Sequence, residues 1–528
     1  MKNKIFFLTI IIFFMGLFFI IDIEGIEDLN NSMSIKDIKN ISNKEFQKIK
    51  KDRRQANYDL LNIKYKNNEV PYDTEKNIYY ICYYDNKYDF ELIFNDNTTI
   101  KTVENTNKNN IKIIAYNQKK YKIYDISLTK FPIINIDISE KKKNNELITT
   151  KYTQGKVNIF DNTQVKNKLN VVNETAQFKI RGVSSQSYDK KSYSIQFIDS
   201  DSGQKKLVNN VLGFKDNNTF ALNSLYEDDS KIRDTLSLNT WKKINNKKTN
   251  DINIKYVEVF INNRYYGLYG FSEVINEYTL DVQGKDSEIY KINNHNVPKL
   301  NTFNNDLLVN DSIEIAYPKS AKNASWEPIK NIIRLNYDSN DQVFKENILK
   351  YIDIDNCVDY FILCELTHNA DGLWKNNVFK YIKMTKKMLK IPWDFDLTWG
   401  ACWDGTNELM VNYNIETSEN LLVENKHENL SGYLEQRLWQ NNVGNFRQKV
   451  AKRWKELRSG FLETESFVNY ANSLYDEVTE SGAREREHER WPDGGYSTDN
   501  SFIEKFIRQR LPYLDSQFLQ YLDDSGEN

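Results

Sequence analysis

The 528 residues carry 72 Lys and Arg against 74 Asp and Glu, a net charge of −2, with 40% apolar and 13% aromatic residues. That composition supports a sizeable core, excludes global disorder, and leaves no overall field to attract nucleic acid. Gly 19 and Pro 8 exclude a collagen-like or Pro/Gly-rich architecture, and four cysteines without a CxxC pair exclude a disulfide scaffold or a standard structural zinc site.

Lys2 and Lys4 precede an uncharged run from Ile5 to Ile21, and Asp22, Glu24, Glu27 and Asp28 follow it. At 1.5 Å per residue the run reaches about 26 Å, nearly the hydrocarbon thickness. With no A-x-A-like cleavage site after it, residues 1–29 are expected to be an uncleaved single-span anchor. The flanking charges place the body of the chain outside the cytoplasm. Residues 30–70, with the basic stretch KEFQKIKKDRRQ, read as a polar helical or flexible stalk. In 71–130, IYYICYYD, DFELIF, IKIIAY and KYKIYDI are strand-like segments between Asn/Asp turns, a small β-rich module.

The strand pattern continues through FPIINIDI, FKIRG and KSYSIQF, and through a hairpin turning at Asn262-Asn263, with one helical segment among them. After about Tyr351 the reading is mostly helical. Val358, Phe361, Ile362 and Leu366 predict an amphipathic helix that stops before His368, and Cys357 and Cys364 on it are too far apart to bridge and read as small buried hydrophobes. KMLKIPWDFDL predicts a short strand, and several helices follow Asn445.

Three segments carry chemistry. In IPWDFDLTWG, Asp394 and Asp396 stand two apart at a strand end, where period two sets both carboxylates on one face, a donor pair for a hard cation such as Mg²⁺. In HNADGLWKNN, Asp371 precedes Asn376 by five, the spacing of a base and a metal-binding Asn in kinase catalytic loops, and lies 23 residues before Asp394. In FKIRGVSSQSYDKKSYSIQF, a Gly/Ser turn feeds Lys190 and Lys191, cations able to reach phosphate; there is no Walker A sequence and no kinase-type glycine loop.

Taken in order, RGVSSQSYDKKSYSIQF, VLGFKDNNTFALNSLYEDDSKIRDTLSLNTW, YVEVFINNRYYGLYGFSEVI, IDNCVDYFILCELTHNADGLWKNN, IPWDFDLTWG and RWKELRSGFLETESF resemble the spore coat protein H (CotH) family of atypical, kinase-like proteins. The resemblance implies an α+β, divergent protein-kinase-like fold over 131–520, β-rich at first and mostly helical later, with residues 521–528 a tail. It implies ATP, Mg²⁺ or Mn²⁺, and transfer to serines of basic, Ser-rich coat-like proteins. Asp371 resembles the catalytic aspartate and Asp394 the metal-binding one, with Asn376 and Asp396 as auxiliary ligands. Lys191 with Glu273, or Lys190 in place of Lys191, is the expected phosphate-side pair, and Arg181 a further phosphate contact or a turn residue. Asp189 stands where the family commonly has proline. The family's coat role belongs to the mother-cell cytoplasm, which conflicts with an outward-facing anchor. A membrane-tethered, non-catalytic scaffold is the competing reading; a two-carboxylate glycosidase fits less well, because acids two apart on a strand suit a metal better than an opposed acid and nucleophile.

Overall fold

The computed structural model describes residues 31–65, 67–83, 90–104, 109–138, 147–165, 168–245, 251–282, 287–293, 300–310, 312–369, 372, 378–402, 406–409, 411 and 434–522. The apolar run Ile5–Ile21 lies outside them; among the described residues no helix is long and apolar enough to cross a membrane. They divide into two compact units, one from the described residues within 1–69, 90–104 and 114–123, the other from those within 70–89, 105–113 and 124–528.

The first unit corrects the stalk. A four-stranded sheet, in the order Asn31–Ser34, Glu91–Phe94, Leu61–Tyr65, Asn68–Glu69, is antiparallel throughout. A helix, Asn43–Lys51, starts at Ser42, whose hydroxyl accepts from the Glu45 amide at 3.3 Å. Phe46 and Ile49 of that helix pack with Ile41, Val103, Ile114 and Tyr121. The few apolar residues of the basic stretch therefore seed a core whose partners lie about sixty residues on in sequence, and the strands read as one module at 71–130 are shared between the two units.

The second unit opens with a closed barrel. Its strands are β1 (Ile133–Asp137), β2 (Thr153–Val165), β3 (Lys168–Arg181), β4 (Ser192–Phe197) and β5 (Thr219–Asn223). Helix α1 (Arg233–Ile244) follows, then β6 (Ile254–Ile261) and β7 (Arg264–Glu273). The order is β1-β2-β3-β4-β5-β7-β6, closed by a parallel β1–β6 pairing. Inward-facing Ile134, Ile159, Phe178, Ile195, Phe220, Val259 and Phe271 fill it. Asn262 and Asn263, at φ 49° and 59°, make the tight β6–β7 hairpin turn that the sequence predicts.

A second sheet places β8 (Ser287–Ile292) between β9 (Ile313–Tyr317) and β10 (Val378–Ile382), with β11 (Lys387–Ile391) outermost. Helices dominate the remainder: α2 (Ile354–Thr367), α3 (Phe446–Arg458), α4 (Thr464–Glu480), α5 (Ala483–Arg490) and α6 (Ser501–Phe518). Helix α2 is not amphipathic as predicted: Asn356 to Thr367 are all buried, because Phe361 alone meets Trp439, Phe446 and Phe518 on other segments. Cys82, Cys357 and Cys364 are buried free thiols, as small hydrophobes would be. The protein is α+β, β-rich first and helical later.

Candidate functional site

Strand β3 ends on Arg181, and Gly182 follows at φ 94°, where a Cβ would overlap the Ser185 hydroxyl. Only glycine turns here. The turn opens one wall of a cleft whose lining includes Arg181, Ser185, Tyr188, Tyr226, Asp228, Asp234, Trp393, Asp394 and Asp396. The Arg181 guanidinium donates to Asn223 Oδ1 at 2.7 Å and sits 5.4 Å from the Trp393 ring centre. Burial lowers its pKa, and Asp394, then Asp234 and Asp396, oppose that shift. Among the described residues that line the cleft, Arg181 is the one cation among acids.

Asp394 and Asp396 both line the cleft, though not by strand alternation. Strand β11 stops at Ile391, and Asp394 adopts φ 64°, a left-handed conformation in which Asp is tolerated better than most residues. Phe395 is driven into the core while the two carboxylates stay exposed. Three bonds fix this segment: Asp234 Oδ1 accepts the Phe395 amide at 3.1 Å, Arg233 Nε donates to the Thr398 carbonyl at 3.0 Å, and the Trp399 amide donates to the Thr367 carbonyl at 2.8 Å.

The last bond brings the acidic segment to the end of α2, which His368 caps at φ 55°. Asp371 and Asn376 lie outside the described residues, but their approach is pinned: Asn369 Oδ1 accepts the Gly372 amide and the Tyr360 hydroxyl donates to the Gly372 carbonyl, each at 2.7 Å.

Lys191 and Glu273 are not brought together. Lys191 Nζ turns back onto the carbonyls of Gln186, at 2.9 Å, and Tyr188, which staples its own loop. Glu273, buried at the end of β7, accepts the Asn253 amide at 2.8 Å and its side-chain amide at 2.7 Å, and burial raises its carboxyl. The buried ion pair is instead Lys190 with Glu487 of α5, 2.6 Å apart and 0% and 2% exposed. Burial lowers Lys190 to about 8, with Glu487 acting the other way. The amine lies 4.2 Å from the Tyr269 ring centre and also donates to the Leu268 carbonyl, so its hydrogen bonds go into the protein interior.

Sequence reasoning missed Asp228, Arg233 and Asp234. The stretch EDDSKIRD before an apolar run is a helix-start signal, and Asp228 indeed accepts the Ser230 amide at 3.0 Å and the Arg233 amide at 2.8 Å. Burial, and then Asp394, push the Asp234 carboxyl up to about 7. A carboxyl raised above its unfolded value favours the folded state when protonated, so this contribution is lost as pH rises from about 4 through about 7. Without divalent cation, Asp234→Asn, which keeps an oxygen for the Phe395 amide, is expected to melt above wild type at pH 8, by on the order of 1–3 kcal/mol, and level with it at pH 4. An unchanged or lower melting point at pH 8 would mean that Asp234 ionises there without cost.

That strain among carboxylates is also the test of fit for a divalent ion. Among the described residues no group of three or more His, Cys, Asp or Glu converges as a complete metal cage. Yet Asp394 faces Asp234 closely enough to disfavour a second negative charge, which a cation at Asp394 and Asp396 would relieve. A guanidinium such as that of Arg181 has the chemistry to pair with a phosphate.

Residues 178–514, from the end of β3 into α6, match the CotH kinase protein family. The chain belongs to that family. Over 252 residues, 46% of this chain, it is 25% identical to inner spore coat protein H of Bacillus subtilis (strain 168), and the aligned part spans 65% of that relative's length. The family match contains the whole cleft, whereas the first compact unit precedes it.

Proposed function

We propose that this CotH-family protein is an ATP- and divalent-metal-dependent kinase that phosphorylates serines of coat or surface proteins. The observation that carries the reading is the convergence of Arg181, Asp394 and Asp396 on one cleft, tied by Trp399 to the end of the helix that leads to Asp371. A bound Mg²⁺ or Mn²⁺ would neutralise phosphate charge during transfer. Asp394 holds that ion, with Asp396 and Asn376 assisting; Arg181 contacts the phosphates; Asp371 accepts the proton of the acceptor hydroxyl. Lys190 and Lys191, with their carbonyl and Glu487 partners, hold the Gly182–Lys191 turn against the cleft and so support the phosphate side indirectly. The relative's name as an inner spore coat protein supports a coat assignment, and Ile5–Ile21 supports tethering to a membrane; with the body outside the cytoplasm the substrate is a surface protein, and with the body in the mother-cell cytoplasm it is a coat protein.

The test is full-length protein in detergent with labelled ATP, Mg²⁺ or Mn²⁺, and a basic Ser-rich peptide. Label in the peptide or the protein itself that is lost in Asp371→Asn is the expected result. Absence of both labelling and nucleotide binding would favour the tethered scaffold.

A further inference from the structure

The wall of the cleft formed by Leu225–Lys231 contributes Tyr226, Glu227 and Asp228 to its lining, yet it has little structure of its own. Leu225 and Lys231 both take left-handed backbones, at φ 53° and 65°, which non-glycine residues keep only when their surroundings impose them. Those surroundings come from the C-terminal part of the chain. The Tyr226 carbonyl accepts the Gly495 amide at 2.8 Å, the Asp229 carbonyl accepts the Ser497 amide at 3.0 Å, and the Ser230 carbonyl accepts Arg484 Nη1 at 2.9 Å. The Leu225 carbonyl accepts Lys231 Nζ at 2.7 Å, and that amine lies 4.0 Å from Glu487 Oε1.

Glu487 reaches the opposite wall too. Its Oε1 holds Lys190 at the foot of the turn that carries Ser185 and Tyr188 into the cleft, and its Oε2 accepts the Leu268 amide at 2.9 Å. At Gly267 a Cβ would overlap this carboxylate. Across the mouth, Tyr188 and Tyr226 stack with ring centres 5.5 Å apart. Gly495 is a glycine for want of room: a Cβ there would stand 2.5 Å from the Glu227 carbonyl oxygen and 2.8 Å from the Asp229 amide.

We propose that Arg484–Ser497 is a clamp that sets the width of the cleft, with Glu487 the positioning residue that ties both walls to α5. The proposal rests on the kinase reading for the identity of the ligand, but not for the geometry. A clamp that holds the walls acts on nucleotide binding more than on the chemical step, so its loss separates KM from kcat.

The experiment compares Gly495→Ala, Glu487→Gln, Asp394→Ala and the control Gly460→Ala, whose new Cβ would meet nothing nearer than 3.8 Å. Full-length protein is followed by binding of fluorescent mant-ADP with Mg²⁺, by KM and kcat for ATP, and by amide exchange of 225–231. Gly495→Ala and Glu487→Gln are expected to weaken mant-ADP binding and raise KM at least fivefold, to change kcat less than twofold, and to speed exchange of the wall at least tenfold. Exchange in the barrel strands stays as in wild type. If Glu487→Gln fails to fold, Gly495→Ala alone decides. Wild-type binding and wall exchange in Gly495→Ala, alongside loss of binding in Asp394→Ala, would overturn the clamp and leave the kinase reading standing. Faster wall exchange with no mant-ADP binding by any form, wild type included, would confirm the clamp's geometry while removing the kinase reading.

Discussion

Asp394→Ala is expected to reduce phosphoryl transfer by about a thousandfold and to abolish Mn²⁺ binding at the cleft, while leaving the fold intact. The two halves of that expectation have separate origins. The carboxylate is exposed and faces Asp234 and Arg181, so removing it takes away a ligand and relieves a repulsion, with no apolar packing lost. The backbone is held by neighbours, through the Phe395 amide, the Thr398 carbonyl and the Trp399 amide, none of which involves the Asp394 side chain. The costs include that of alanine at φ 64°, about 1 kcal/mol, and the lost attraction to the Arg181 guanidinium. Asp394→Asn keeps the left-handed preference and isolates the charge. Transfer rates and Mn²⁺ electron paramagnetic resonance, measured on both variants, check the expectation; wild-type rates in either would remove Asp394 from the chemistry.

Much of this site was legible because local chemistry announced it. Asp394 and Asp396 stand out between Trp393, Phe395 and Trp399, and an Asn-Asn turn between alternating strands can hardly be anything but a hairpin. What stayed hidden depends on partners distant in sequence. Lys190 and Glu487 are 297 residues apart, and AREREHER, which contains Glu487, looks like a solvated charged helix until Arg484 and Glu487 are seen to be buried by the walls they hold. Asp234 stands in the first turn of α1, where an acid needs no further reason. Asp394 and Asp396 do share one cleft, but a left-handed residue and a buried Phe395, and not strand alternation, turn both acids into it. The stretch read as a stalk failed for the opposite reason: apolar residues scattered among many lysines, such as Ile41, Phe46 and Ile49, make a core when strands distant in sequence supply the rest.

Arg233→Met is expected to cost about 3–5 kcal/mol, lowering the melting point of the second unit by roughly 3–6 °C. The guanidinium is 1% exposed and bonds Asp228 and Asp229 at 2.5 Å each, Asn407 Oδ1 at 2.9 Å and the Thr398 carbonyl at 3.0 Å. Methionine fills the space but leaves Asp228 buried without its cation. Burial alone would raise the Asp228 carboxyl; Arg233 first, then the Ser230 hydroxyl and the Arg233 amide, hold it below the ordinary value instead. In wild type that depressed carboxyl contributes stability above about pH 4, lost as pH falls through its folded value. In the variant the sign reverses, because an unpaired buried carboxylate folds best protonated. The difference between the two proteins should therefore widen from pH 5 to pH 8 in denaturant titrations, and Asp228→Asn added to Arg233→Met should recover part of it. A pH-independent loss would mean that the Thr398 and Asn407 bonds, not the charge on Asp228, make Arg233 necessary to the loop that carries Asp394.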